Sequence, residues 1–154
     1  MKKLSLLMIS MIISIASYSQ SVNEEVDFVQ AAFGMEKKAV VSEFIQLSDA
    51  QSQAFWDLYD QYETTRKENG KKRVALLLQY AEQYNTMTDE QADAWTKEVI
   101  KLQTATDKLI ATYYNKIKKA TSATVATQFY QIENYILTGI RMEILDNVPF
   151  LGEM

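Results

Sequence analysis

The sequence predicts an all-α protein, built as an antiparallel bundle or as elongated hairpins of four to five long helices. Three observations support this prediction. Proline is absent before Pro149, and glycine occurs at only four of the 154 positions. Apolar residues recur at intervals of three and four, as they do on one face of a helix. No run of four or more residues shows the alternation of apolar and polar residues that is typical of a strand.

Residues 1–19 have the pattern of an export signal. Two lysines open the chain, an apolar run follows over residues 4–16, and two small serines precede the expected cleavage point. The run is shorter than the roughly 20 residues that a membrane-spanning helix needs. We therefore expect a signal peptide, with an uncleaved N-terminal anchor as the alternative. The mature chain, residues 20–154, is expected to be a single helical domain that is periplasmic or secreted and has no membrane span.

The first helix is predicted over residues 23–46 and the second over residues 48–85. The stripe of the first helix, weakened at Gly34, comprises Val26, Val29, Phe33, Val40, Phe44 and Leu47. In the second helix the apolar spacing continues in the same phase across Gly70. One long bent helix and two shorter helices therefore remain equal alternatives for this region.

The third helix is predicted to begin at Thr88 and to carry an apolar stripe for about eight turns. Residues 120–124 interrupt this stripe, and Ser122 is a suitable N-cap for a last helix that ends before Pro149. Connections of two to five residues make neighbouring helices antiparallel. No linker or shift in composition divides the chain.

Composition excludes several classes of function. The chain has neither Cys nor His, which removes disulfides, thiolate zinc sites, cysteine nucleophiles and Ser-His-Asp triads. Lys and Arg number 16 against 20 for Asp and Glu, a net charge of −4, which becomes −6 (14 against 20) without the signal. A general nucleic-acid-binding protein is net basic. We expect no catalytic residues, no metal, no cofactor and no nucleic-acid partner.

Two short segments resemble each other and indicate helix starts. In each, a hydroxyl residue stands three positions before a glutamine: Ser48 before Gln51, and Thr88 before Gln91. In a capping box the hydroxyl accepts a hydrogen bond from the amide of the third helical residue, and the glutamine returns to the amide of the cap. We interpret both segments as capping boxes.

Aromatic rings are concentrated at helical spacing in the second helix. Phe55, Tyr59 and Tyr62 share one face, Trp56 stands beside it, and Trp95 follows in the third helix. Rings at this spacing usually form a core. The alternative is an exposed surface that binds a protein partner or an unfolded client. The core interpretation is favoured, but the sequence leaves both open.

A polar network is predicted around Glu133 and Asn134, which flank the apolar face of the last helix. A single Glu without a second carboxylate at a defined spacing is weak evidence for acid–base catalysis. We expect instead a partly buried ion pair between Glu133 and an arginine of another helix, and we choose Arg73 as its partner.

Basic residues are concentrated over residues 66–73 and again over residues 116–119. Exposed charges of this kind usually form a solvated surface. The functional alternative is a basic patch that steers an anionic partner, such as a lipid headgroup or an acidic unfolded chain.

Together, the export signal, the two capping segments and the helical chain resemble the LTXXQ-motif (Spy/CpxP-like) periplasmic proteins. The matching residues are Leu47, Ser48 and Gln51, then Met87, Thr88 and Gln91, with Ser for Thr in the first copy and Met for Leu in the second. The resemblance implies a curved helical hairpin that dimerises and holds unfolded clients on a concave face. That face is strongly basic in the family, whereas this mature chain is acidic.

A second resemblance covers most of the mature chain. The rings of residues 55–62, the segment 76–80 and the segment 129–134 are similar to those of a family of small exported helical proteins to which no activity is assigned. We expect an exported non-enzymatic binding module, chaperone-like or stress-sensing, with a homodimer as one form. The alternative is a structural or oligomerising envelope protein whose aromatic residues form only a core.

Overall fold

The structure, a computed structural model, describes residues 21–152, with side chains from residue 33 onward. Four helices follow one another: α1 (Ser21–Phe44), α2 (Asp49–Gln83), α3 (Asp89–Ala120) and α4 (Ala123–Asn147). Within that range the chain contains no strand, so the all-α prediction is confirmed. The expected signal peptide lies outside the described residues.

Each of the last three helices begins where the sequence places a cap. The Thr88 amide donates to Gln91 Oε1 at 2.9 Å and the Gln91 amide donates to Thr88 Oγ1 at 3.3 Å, which is a complete capping box. At the start of α2 the Ser48 amide and hydroxyl both donate to Gln51 Oε1. Ser122 Oγ accepts from the amide of Val125 at 3.2 Å. These bonds satisfy amides that the first turn of a helix would otherwise leave unpaired.

Helix α2 is continuous through Gly70 and runs for 35 residues, about 52 Å at the usual rise of 1.5 Å per residue. The alternative of two shorter helices is therefore wrong. A single glycine costs a helix only about 1 kcal/mol. Packing along the rest of a long helix can offset a loss of that size.

Side-chain contacts show that neighbouring helices are antiparallel. Between α2 and α3, Tyr62 packs on Tyr113 near one end, while the Trp95 indole reaches the Leu76 carbonyl near the other. Residue numbers therefore rise along α2 as they fall along α3. The connections between successive helices have five residues or fewer, and connections this short enforce the reversal.

The core combines residues from all four helices. Its buried members are Val41, Ile45, Phe55, Tyr59, Tyr62, Ile110, Tyr113, Ile117, Val125, Ala126, Phe129 and Ile132. The Tyr62 ring meets the Phe129 ring edge to face at 5.2 Å, and the Tyr59 ring meets the same ring at 6.4 Å. Such contacts add to the apolar burial that stabilises the bundle.

The core interpretation of the aromatic cluster is correct for the rings of α2. Phe55, Tyr59 and Tyr62 are buried almost completely, and Trp56 is half-buried, with its ring 5.0 Å from that of Phe55. The prediction that these rings form a surface for clients is therefore wrong for Phe55, Tyr59 and Tyr62. Their shared face is covered because α3 and α4 pack against it.

Candidate functional site

A buried cluster of charged side chains joins three helices. The Lys37 ammonium of α1, 2% exposed, lies 2.5 Å from Glu63 Oε1 of α2 and 2.8 Å from Glu133 Oε2 of α4. Tyr62 Oη donates to the same Glu133 oxygen at 2.5 Å. Arg66 Nε donates to Glu63 Oε2 at 2.9 Å. We call these five side chains the charged cluster.

The charged cluster balances two carboxylates against two cations. The Lys37 ammonium also lies 4.9 Å from the centre of the Tyr62 ring and 5.4 Å from that of Tyr59, where the electron-rich faces attract it. A charge buried without partners would cost several kcal/mol, so each member holds the others in place. The cluster therefore fixes how α1 lies against α2 and α4.

The predicted partner of Glu133 is wrong: the carboxylate pairs with Lys37, not with Arg73. Glu133 faces Tyr62 on α2, and Arg73 lies 11 residues further along that helix, or about 16 Å at 1.5 Å per residue. Asn134 is also outside the network, since its amide donates to the carbonyl of Tyr130 one turn earlier. The prediction that Glu133 belongs to a buried polar network is correct.

Lys37 is not among the predicted network residues, although the sequence contains a signal for it. Lys37 stands midway between Phe33 and Val41, one helical turn from each, so it lies on the buried stripe of α1. A lysine at such a position needs an anionic partner in the core. Two carboxylates from other helices satisfy that requirement.

Two tyrosines of the core are held in their neutral form. Burial, reinforced by the charge of Glu133, raises the pKa of Tyr59 and of Tyr62 well above the ordinary value near 10. Tyr59 Oη and Glu133 Oε1 are buried and have no hydrogen-bond partner among the described residues. With its side chains packed away from solvent, the charged cluster can orient helices but offers no open face to a ligand.

A second feature is a groove at the other end of α2. It is a cavity of about 370 Å³ between the C-terminal part of α2, the first part of α3, the end of α4 and the residues after it. We call it the end groove. It is lined by Arg73, Leu76, Leu77, Tyr80, Met87, Ala92, Trp95, Thr96, Val99, Leu102, Gln103, Ile144, Leu145, Val148, Pro149, Phe150 and Leu151.

Aromatic side chains form and brace one wall of the end groove. The Tyr80 and Trp95 rings lie 4.6 Å apart, and the Trp95 indole donates to the Leu76 carbonyl at 2.9 Å. Tyr80 Oη donates to the Pro149 carbonyl at 2.9 Å, which ties the chain after α4 to α2. Trp95, predicted to belong to the same surface as Phe55, is therefore part of a separate site.

Arg73 is the one charged residue among the described side chains that line the end groove. Burial and the neighbouring Arg141 lower the pKa of Arg73, while Asp107 opposes that shift. An arginine stays protonated in proteins because its ordinary pKa lies above 12. Arg141 donates to Asp107 Oδ1 at 2.8 Å, whereas Arg73 makes no direct ion pair or hydrogen bond within residues 33–152.

Comparisons with protein-family models, with curated proteins and with solved structures found no match to this chain. Across residues 21–152, no helix has both the length and the apolar character needed to cross a membrane. The same part of the chain contains no group of three or more acidic side chains arranged to hold a metal ion.

Proposed function

We propose that this chain is an exported, periplasmic and non-enzymatic helical protein that acts as a binding module, of the chaperone-like or stress-sensing kind. We place its binding site at the end groove. The observation that carries this proposal is a concave apolar cavity with a single charged residue in its described lining. The predicted export signal and the LTXXQ-like segments of the sequence support the proposed cellular setting.

The size and lining of the end groove suit a binding site. Its volume of about 370 Å³ lies within the roughly 300–1,000 Å³ of typical ligand sites, which are mostly apolar with a few polar groups. At its rim, Leu145, Phe150 and Leu151 expose half or more of their surface. Covering exposed apolar side chains beside a cavity with a ligand is favourable, because it removes apolar surface from water.

The residues available favour binding over catalysis. The chain lacks His and Cys, the commonest general base and the most reactive nucleophile of proteins. Glu63 and Glu133, the buried carboxylates among the described side chains, are engaged by Lys37 inside the core. The end groove brings to its wall one guanidinium and no carboxylate among its described residues.

A chaperone-like activity would have to use the end groove rather than the ring cluster of α2. Phe55, Tyr59 and Tyr62 are inaccessible to a client in the folded bundle. Of the other two rings of that prediction, Trp56 is half-buried beside the core and Trp95 lies in the end groove. The proposal therefore shifts the client surface from the middle of α2 to its C-terminal end.

Binding to the end groove can be tested with N-phenyl-1-naphthylamine, a neutral apolar dye that fluoresces when it leaves water. We expect saturable binding of about one dye per chain to the exported protein. Leu145→Asp places a charge at the rim of the groove and should weaken binding about ten-fold or more, since burying a charge without a partner costs several kcal/mol. Ile100→Asp changes another exposed apolar residue, outside the groove lining, and should leave binding unchanged.

The control decides where the dye binds. Equal loss of binding in the two variants would contradict the end groove as the site, and so would the absence of saturable binding.

A second experiment separates a chaperone from a small-ligand sensor by measuring whether the protein suppresses the aggregation of a reduced, unfolding client. In a chaperone, Leu145→Asp should reduce suppression more than Ile100→Asp does.

A second candidate function, an oligomerising envelope protein, is favoured by the outer face of α4. Tyr135, Met142 and Leu145 are each more than half exposed, and a Cβ built on Gly139 meets nothing within 4 Å. An open apolar stripe of this kind could pair with a second copy of the chain. Sedimentation equilibrium should then show a dimer that Met142→Asp dissociates, and a monomer at all concentrations would contradict this candidate.

A further inference from the structure

We infer that the end groove binds a single-chain anionic amphiphile, with the hydrocarbon chain along the apolar walls and the anionic head on Arg73. This inference rests on the proposed binding function of the groove and names the class of ligand. The head can be a carboxylate or a phosphate, since a guanidinium recognises both with two parallel hydrogen bonds.

The volume of the cavity sets the number of carbons that the hydrocarbon chain can bury there. At about 30 Å³ for each water-sized group, 370 Å³ holds about 12 such groups. A methylene group is close to that size, so the volume of the groove matches that of a chain of ten to twelve carbons. The walls it would touch are aliphatic and aromatic side chains from α2, α3 and α4, such as Leu77, Val99 and Ile144.

The charge of the head follows from the position of Arg73. A ligand that fills the groove removes water from the guanidinium, and this costs free energy unless the ligand supplies an acceptor. The neighbouring Arg141 adds positive potential, and its buried Nε has no hydrogen-bond partner among the described residues. Asp107 offsets one of these two cations, which leaves one positive charge for the ligand to neutralise.

Cationic and neutral head groups fit the groove less well, because they do not neutralise the positive charge at Arg73. A cationic head would lie against Arg73 in a partly desolvated site, where like charges repel more strongly than they do in water. A neutral alcohol offers the guanidinium a single uncharged acceptor, whereas a carboxylate or a phosphate supplies two acceptor oxygens and the opposite charge. The order of affinity should therefore be anionic, then neutral, then cationic.

Trp95 supplies a fluorescent reporter inside the site. Trp56 is the only other tryptophan, and it lies beside the core rings at the opposite part of α2. In a Trp56→Phe background, a ligand in the end groove should shift the Trp95 emission. Titrations then measure the affinity for dodecanoate, dodecyl phosphate, dodecanol and dodecyltrimethylammonium, each below its critical micelle concentration. These ligands share a twelve-carbon chain and differ only in the head group.

The matched variants are Arg73→Gln and Lys72→Gln, which remove the same charge from adjacent positions of α2. Lys72 is exposed and is not among the lining residues. We expect dodecanoate or dodecyl phosphate to bind about ten-fold more tightly than dodecanol, and Arg73→Gln to remove that preference. Lys72→Gln should keep it. The anionic head that binds more tightly identifies the source of the ligand.

Equal affinity for anionic and neutral amphiphiles would overturn the inference, as would equal effects of the two variants. If Arg73→Gln fails to fold, Thr96→Glu replaces it, since Thr96 is exposed and lines the groove. That carboxylate should weaken the anionic ligands more than dodecanol, and an equal effect on both would overturn the inference. Binding of dodecanol and the naphthylamine dye without any anionic preference would leave the proposed function standing, whereas binding of neither would refute both.

Discussion

At the scale of single residues, the protein places its strongest electrostatic interactions where water cannot reach them. Lys37, Glu63 and Glu133 come from three helices and meet within 2.8 Å. Replacing a whole buried ion pair by apolar residues can leave stability unchanged, but removing one partner leaves the other charge buried without compensation. The exposed pair of Lys38 and Asp60, which has similar geometry, contributes far less because solvent screens it.

Tyr62 should make the stability of the protein sensitive to alkaline pH. Its pKa is raised well above 10 in the folded chain, by burial and by the carboxylate of Glu133 that it contacts. The unfolded chain loses that proton near pH 10, so the stabilisation is complete below pH 10 and is lost as pH rises towards the folded pKa. Each such tyrosine contributes a fall of about 1.4 kcal/mol per pH unit above the unfolded pKa.

Urea unfolding between pH 7 and pH 11 measures this effect. Tyr62→Phe should lower stability at pH 7, because Glu133 loses a hydrogen bond, and should make the fall above pH 10 shallower. Tyr135→Phe changes an exposed tyrosine for which no comparable burial exists, and it should leave the fall unchanged. Identical pH profiles for the two variants would show that Tyr62 is not held neutral.

At the scale of helices, the charged cluster explains how α1 is attached. Lys37 of α1 reaches both α2 and α4, and the Phe33 ring centre lies 5.2 Å from the Arg66 guanidinium. The apolar contacts of Val41 and Ile45 complete the attachment. The docking of α1 therefore depends on charge as well as on apolar burial.

Lys37→Met should destabilise the fold by about 3–5 kcal/mol, because it leaves Glu63 and Glu133 buried with one cation between them. Lys38→Met removes an exposed pair from the adjacent position and should cost about 1 kcal/mol or less. Urea unfolding gives both values. Adding Glu133→Gln to Lys37→Met should recover part of the loss. A purely additive double variant would contradict the pairing of these two residues.

The helix boundaries could be predicted because they depend on local chemistry. The contacts between distant helices could not, because they depend on long-range packing. Thr88 and Ser122 begin helices because their side chains satisfy nearby amides, which sequence spacing reveals. Gly70 left two alternatives because the preference of one glycine is smaller than the packing energy of a long helix. The partner of Glu133 could not be predicted, because two helices, α2 and α3, separate Glu133 from Lys37 in sequence, and the register between α1 and α4 is set by the whole core.

At the scale of the whole molecule, the bundle separates its core from its candidate binding site. The aromatic rings of α2 are concentrated around the charged cluster, while the end groove lies at the other end of the same helix. The end groove could not be predicted from sequence, because its walls come from three helices and the residues after α4. The sequence predicts Trp95 to belong to the ring surface and Arg73 to belong to an ion pair, while Met87 and residues 76–80 enter only through the two resemblances.

The most direct test of this account is a map of the backbone amides that shift when dodecanoate is added to the ¹⁵N-labelled protein. The account predicts saturable shifts within residues 73–80, 92–103 and 144–151, the segments that contribute most of the side chains lining the end groove. The amides around Lys37 and Glu133 should stay in place, because the charged cluster is buried and its charges are paired with one another. Shifts centred on the charged cluster, or spread evenly along the four helices, would contradict the end groove as the binding site.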